Sequence, residues 1–345
     1  MKVLITGGCG FLGVNTCEYF QNLGWNVTAL DNLTTYEMNK SGYKNPEARV
    51  YTYNYLKTLG IDVLIGDIRN EQFMKKLKSK DFDYIINCAA QPTMTLAIEN
   101  PVLDMQVNIA GVINVLELGR RLDIPVTLCS SIHVYGNKLN QNLKETETRF
   151  MSVPESIDEN EPILTGDITP LHVSKRAMEL YGLCYTNTYG LKVGIFRFTG
   201  LYGPMQLAGA HHGWVSNFII RTLLHLPITI FGSDKQVRDI LYVTDASRVF
   251  QKFYEHSVPG IYNTGGGIES AVSLGETLSF IAQTTGVKQE IILKPARFGD
   301  LHYFVCNIDK AKSQLYWEPL VKPTEGLTLT MNWIKKHLDL FEGMK

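Results

Sequence analysis

The segment Lys2-Val3-Leu4-Ile5-Thr6-Gly7-Gly8-Cys9-Gly10-Phe11-Leu12-Gly13 runs a short apolar strand into glycines at 7, 10 and 13, then into an amphipathic stretch. No other feature constrains the fold as tightly. A strand, a glycine turn and a helix in that order set unpaired helix N–H groups beside the end of a strand, ready for an anion. Gly7 permits the tight turn, Gly10 lets backbone approach a pyrophosphate, and Gly13 lets helix and sheet pack closely, with Phe11 and Leu12 opening the helix. The answering acid is Asp31, which ends the next strand-like run, Val27–Leu30, and is followed by Asn32. A carboxylate there accepts from both ribose hydroxyls and repels a 2′-phosphate, so the pattern predicts NAD rather than NADP.

The rest of the first half keeps the same alternation. Strands are predicted at Val63–Ile65, Tyr84–Asn87 and Val126–Cys129, with helices at Glu71–Leu77 and Val107–Leu122 between them. This periodicity reads as α/β: a Rossmann-type doubly wound parallel sheet, followed by a smaller C-terminal α/β substrate domain. Residues 32–55 read as a polar stretch, and the acidic residues 137–168 as a long loop. A helix at His172–Tyr189, a strand at Val193–Phe198 and a closing helix near 326–340 complete the pattern. The expected division is 1–196 plus about 239–262 for the dinucleotide, and 197–238 plus about 263–345 for the substrate.

Composition excludes several classes. Thirty-three Lys and Arg against 34 Asp and Glu argue against a general nucleic-acid binder, which would show a basic stripe. No apolar run is read as reaching the roughly 18–20 residues of a membrane span. Met1 to Gly7 reads as a strand, Val3–Ile5, entering the glycine turn with no signal peptide before it, so a cytoplasmic protein is expected. Six cysteines without a C-x-x-C pair predict free thiols, of which Cys9, Cys88 and Cys129 lie in or beside apolar strands. His211 and His212 have no acidic or cysteine neighbour to complete a zinc site, so no metal is expected.

Further motifs carry a resemblance. Gly66-Asp67-Ile68-Arg69, Asn87-Cys88-Ala89-Ala90-Gln91 and Val107-Asn108-Ile109-Ala110-Gly111 follow the glycine turn. After them come Ser130-Ser131-Ile132-His133-Val134-Tyr135-Gly136, Arg197-Phe198-Thr199-Gly200-Leu201-Tyr202-Gly203-Pro204 and Asn263-Thr264-Gly265. In this order the chain resembles the extended short-chain dehydrogenase/reductases, which modify sugar nucleotides. The resemblance implies that Asp67 and Ile68 contact the adenine. It places Ala89, Ala90, Gln91, Asn108, Ser130, Lys175 and Phe198 around the rest of the NAD. Met94-Thr95, Ile98-Glu99-Asn100-Pro101, Gly213-Trp214-Val215 and Lys235-Gln236-Val237-Arg238-Asp239 are similar to the branch that epimerises CDP-tyvelose at C2.

For the nucleotide-diphosphate sugar, the resemblance implies contacts from Thr93, Thr199, Gln206 and Trp214. Arg238 and Arg297 are the cations expected on the diphosphate, since a guanidinium fork matches phosphate oxygens. The competing reading for each is a salt bridge, Arg238 with Asp239 and Arg297 with Asp300. The family's dimer contact implies a homodimer through helices 107–122 and 172–189.

The departure lies at the catalytic tyrosine. The family uses Tyr and Lys at i, i+4 and a Ser or Thr; here Ser131 and Lys175 are present, but Leu171 holds the Tyr position and cannot carry a proton. Three readings stay open. His172, at i, i+3 from Lys175, is one replacement, with a reference pKa suited to proton transfer. The Ser131 strand offers another, through His133 or Tyr135. In the third reading the chain binds NAD and sugar nucleotide without turnover. The expected activity is nucleotide-sugar epimerisation by transient oxidation. Elimination of water with His133 as base and a non-catalytic binding protein are the alternatives.

Overall fold

The computed structural model describes residues 1–40, 43–77, 81–209 and 212–344. Its strands are β1 (Lys2–Thr6), β2 (Asn26–Asp31), β3 (Asp62–Ile65), β4 (Tyr84–Asn87), β5 (Val126–Ser131), β6 (Lys144–Glu145), β7 (Phe150–Met151) and β8 (Val193–Phe198). There follow β9 (Gly200–Tyr202), β10 (Ile228–Phe231), β11 (Val237–Tyr242), β12 (Gly260–Thr264), β13 (Ala271–Ser273), β14 (Ile291–Lys294) and β15 (Tyr303–Phe304).

Seven strands form one sheet in the order β12-β8-β5-β4-β1-β2-β3, every pair parallel. The chain grows outward from β1 to β3, returns to β4 beside β1, and then grows the other way. That reversal opens a crevice at the carboxyl ends of β1 and β4, where open α/β sheets bind their ligands. The helix Phe11–Asn22 covers one face with Val14, Cys17 and Phe20, packed against Val3, Ile5 and Ala29. The 112–122 and 170–189 helices cover the other through Val115, Leu116, Met178 and Tyr185, packed with Leu4, Ile85 and Leu128. Burial on both faces explains the apolar runs Tyr84–Ile86 in β4 and Ile195–Phe196 in β8, where the one charge, Arg197, is paired with Glu179.

A smaller assembly surrounds β11, which pairs antiparallel with β13 and parallel with β9 and β15; β10 pairs with β14. Its core contains Val215, Phe218, Ile219, Ile228, Ile240 and Leu327.

The structure departs from the sequence expectation in three places. The stretch read as polar contains helices Tyr36–Lys40 and Pro46–Thr58. The second has an Asn45 cap accepting from the Glu47 N–H, a Pro at its first position and a buried Leu56. The helix expected from Val107 begins at Pro101 and continues to Leu122 through a π turn at Gln106–Gly111. Length and composition would let that 22-residue stretch cross a membrane, which corrects the reading that no run is long enough, yet 44% of its most apolar window is buried against the protein. Finally, the acidic loop holds the β6–β7 hairpin, tied to the 274–285 helix by Arg149 and Glu276.

Candidate active site

The glycine turn is packed backbone to backbone. Gly7 has φ +64°, and a Cβ there would lie 2.6 Å from the Ala89 nitrogen. A Cβ on Gly13 would overlap the Gly7 carbonyl, whereas one on Gly10 would meet nothing nearer than that carbonyl, at 3.2 Å. Gly10 is therefore the open face of the turn, and the 11–22 helix starts on it without a side-chain cap. Asp31 accepts from the Cys9 N–H at 2.9 Å and the Leu33 N–H at 2.8 Å, one bond to each carboxylate oxygen, which leaves lone pairs for two ribose hydroxyls. Burial raises the Asp31 pKa, and these N–H donors counter it. A cradle that no side chain fits, a free helix N-terminus and a positioned acid suit an NAD pyrophosphate and ribose.

Asn32 donates to Asp67 at 2.9 Å, and Arg69 grips the same carboxylate. Burial alone would raise the Asp67 pKa, but these bonds hold it at about 2. Ile68 is buried against Gly111. Beyond β4, the Gln91 N–H donates to Asn108 Oδ1, and Asn108 Nδ2 reaches the Gln91 carbonyl, Asp104 and Ser174. Asn108 stands in the π turn, whose extra residue turns its amide into this network. Ala89 and Ala90 follow β4 directly, and Phe198 ends β8, buried.

Lys175 is buried on the 170–189 helix and donates to the Cys129 carbonyl at 2.8 Å. Burial lowers its pKa. Ser131 accepts from the His133 N–H, while Ser130 is committed to Glu179 at 2.7 Å. The Leu171 side chain is buried. His172, 1% exposed, receives the Thr169 N–H on Nδ1 at 2.8 Å, and its Nε2 is buried with no partner. The His133 ring lies 5.7 Å from it, and His133 Nδ1 is also buried and unpartnered. Burial pushes the His133 pKa down to about 4. Tyr135 is committed elsewhere: its hydroxyl meets Asn263, the Asp158 carbonyl and Arg197.

On the substrate side, Thr93 is buried and its hydroxyl unpartnered. Thr199 donates to Asp239, Gln206 bonds Ser216 and the Leu201 carbonyl, and Trp214 packs edge-on to Phe218. Arg238 pairs with Asp300 at 3.3 Å rather than with Asp239, and Arg297 lies 3.9 Å over the Phe231 ring. His211 lies outside the described residues. Sequence reasoning missed Phe231, Glu179 and the role of Thr169. Only Glu179 left a trace, as a carboxylate one turn beyond Lys175.

A parallel sheet, a glycine turn at its switch point and an acid closing the second strand define a dinucleotide-binding protein of the Rossmann class. Sequence comparison agrees: a family model described as the NAD dependent epimerase/dehydratase family matches residues 3–265. The chain belongs to that family, whose cofactor is NAD. It is similar to CDP-paratose 2-epimerase of Salmonella typhi, at 31% identity over 96% of this chain and 99% of that protein. Among solved structures it is similar to UDP-glucose 4-epimerase from Thermotoga maritima with UDP-glucose (TM-score 0.83, 27% identity, 98% and 100% of the two chains). It is likewise similar to UDP-glucose 4-epimerase from Thermus thermophilus in complex with NAD (TM-score 0.79, 28% identity, 98% and 100%).

Proposed function

We propose that this chain is a nucleotide-sugar epimerase that inverts a sugar carbon by transient oxidation, with the His133–His172 pair in place of the family's tyrosine. One observation carries the reading. Two buried imidazoles with unpartnered ring nitrogens lie 5.7 Å apart, beside Ser131 and on the helix of Lys175. Leu171 would leave that place without any proton acceptor. The similarity to CDP-paratose 2-epimerase favours C2 as the reacting carbon.

NAD, when bound, supplies the hydride acceptor and donor. Gly7, Gly10 and Gly13 would hold its pyrophosphate, Asp31 its adenine ribose, and Lys175 its other ribose. The imidazole pair takes the sugar hydroxyl proton as the carbon is oxidised and returns it on reduction, so no proton is gained or lost. Ser131 hydrogen-bonds the reacting oxygen. Arg238 and Arg297 grip the diphosphate, and the unpartnered Thr93 hydroxyl meets a sugar hydroxyl. Residues 1–196 with about 239–262 serve the cofactor, and the remainder serves the nucleotide sugar.

The test offers NAD-loaded protein CDP-, UDP- and GDP-hexoses in heavy water and follows the sugar by NMR. Epimerisation gives a new configuration at one carbon, no net NADH and no deuterium on that carbon. Loss of water would instead make His133 the base of an elimination. A raised melting temperature without any product would leave a binding protein.

A further inference from the structure

His172 occupies the third position of the 170–189 helix, where its side chain closes a capping box with Thr169. Its Nδ1 lies 2.8 Å from the Thr169 backbone nitrogen and 3.0 Å from the Thr169 hydroxyl. A backbone N–H can only donate, so Nδ1 must accept. In a neutral imidazole the single ring proton then sits on Nε2. The opposite tautomer would set two N–H groups against each other across 2.8 Å. The Nε2 atom is buried without a partner, although the ring is 1% exposed. The ring is also clamped from outside: Gly299 has φ +75°, and a Cβ there would come within 3.2 Å of His172 Cε1 and 3.1 Å of Thr169 Cγ2.

We propose that His172 is a fixed hydrogen-bond donor to the reacting sugar oxygen, through Nε2–H, and that His133 is the group that takes and returns the proton. This deepens the epimerase reading and rests on it. A base needs a free lone pair facing substrate. His172 has spent its lone pair on the helix cap, whereas His133 Nδ1 has no partner, so nothing among the described residues commits the lone pair of that ring. The sugar hydroxyl gives its proton to His133 as the C–H hydride leaves. The resulting carbonyl oxygen is held by the His172 N–H, and reduction takes the same proton back.

Three substitutions separate donor from base. His172→Gln keeps the cap, since Gln is a natural partner in a capping box, and offers an amide N–H, but it cannot carry a proton. His172→Glu keeps the cap and loses the donor. His172→Ala loses both. We expect kcat of the Gln variant to stay within about tenfold of the parent and that of the Glu and Ala variants to fall roughly 100- to 1,000-fold. A Gln variant as inactive as the Glu variant would overturn the donor role. A second readout needs no turnover: nitrogen-15 NMR of the His172 imidazole in the substrate-free protein should show Nδ1 unprotonated and Nε2 protonated at neutral pH. A proton on Nδ1 would overturn the proposal. Should the parent epimerise no nucleotide sugar, the reaction reading fails, while the NMR result still decides the tautomer.

Discussion

Arg197 and Glu179 meet through two N–H···O bonds, Nε to Oε1 at 2.7 Å and Nη2 to Oε2 at 2.8 Å, with neither side chain more than 3% exposed. Ser130 and Arg176 also donate to Glu179, and Arg197 reaches the Tyr135 hydroxyl. The cluster joins β5, β8 and the 170–189 helix one turn beyond Lys175. Glu179→Ala leaves Arg197 buried and uncompensated, at a cost of about 3–5 kcal/mol. Urea denaturation should show the loss. A change below about 1 kcal/mol would mean that solvent reaches the pair.

Gly7→Ala should abolish NAD binding, because the new methyl meets the Ala89 backbone and the left-handed φ disfavours any side chain. Asp31→Asn should weaken NAD and narrow its preference over NADP. Nucleotide content of the purified variants, read by absorbance after denaturation, is the check. Full NAD occupancy in Gly7→Ala would disprove the cradle.

The pH response of stability isolates His133. Burial holds its folded pKa near 4, with Asp300 opposing and His172 and Arg238 reinforcing the depression. The unfolded ring titrates near pH 6.5, so the unfolded chain binds the proton first. Above that pH His133 contributes nothing to the pH slope. Stability then falls as the pH drops from about 6.5 to about 4, by up to roughly 3 kcal/mol. Asp239, which burial pushes up to about 6, works in the opposite direction over part of that window. Subtracting the urea profile of His133→Gln from that of the parent removes the Asp239 contribution. A difference that stays flat between pH 4 and 6.5 would contradict the buried, neutral ring.

Arg238→Ala and Arg297→Ala should each raise KM for the nucleotide sugar about 10- to 100-fold, the range expected for one lost charged hydrogen bond. NAD content should be unchanged. Steady-state kinetics with a nucleotide content assay separates the two ligands, and an unchanged KM in both variants would remove the arginines from the diphosphate.

We expect a homodimer through the outer face of the 101–122 and 170–189 helices. That face leaves Val102, Met105, Val173, Leu180 and Tyr181 between 41% and 58% exposed. Leu180→Glu should shift the mass measured by light scattering from dimer to monomer. A parent that is already monomeric would end this expectation.

Local order made the fold readable. Strands β1, β4, β5 and β8 are buried along nearly their whole length, so short apolar runs marked them in the sequence, whereas the edge strand β12 lies among short mixed elements and left no such mark. The π turn was not readable, because one extra residue between Gln106 and Gly111 leaves no compositional mark. At the site, the choice of partner for Arg238 was decided by strand geometry. Successive side chains on β11 point to opposite faces, so Asp239 turns inward to Thr199 while Arg238 meets Asp300 from another segment. The His172 tautomer was hidden for a related reason. It depends on a backbone N–H, which every residue but proline has, and only the helix start at Thr169 aims it.

The segment Arg297–Asp300 makes two sets of contacts within four residues. Arg297 lies over the Phe231 ring and Asp300 pairs with Arg238, while Gly299 closes on the His172 ring. On the proposed function, the grip on the diphosphate and the wall of the sugar chamber therefore share one stretch of backbone. A substitution that moves the arginines would carry the wall of that chamber with it. Diphosphate binding and sugar chemistry would then be inherited together.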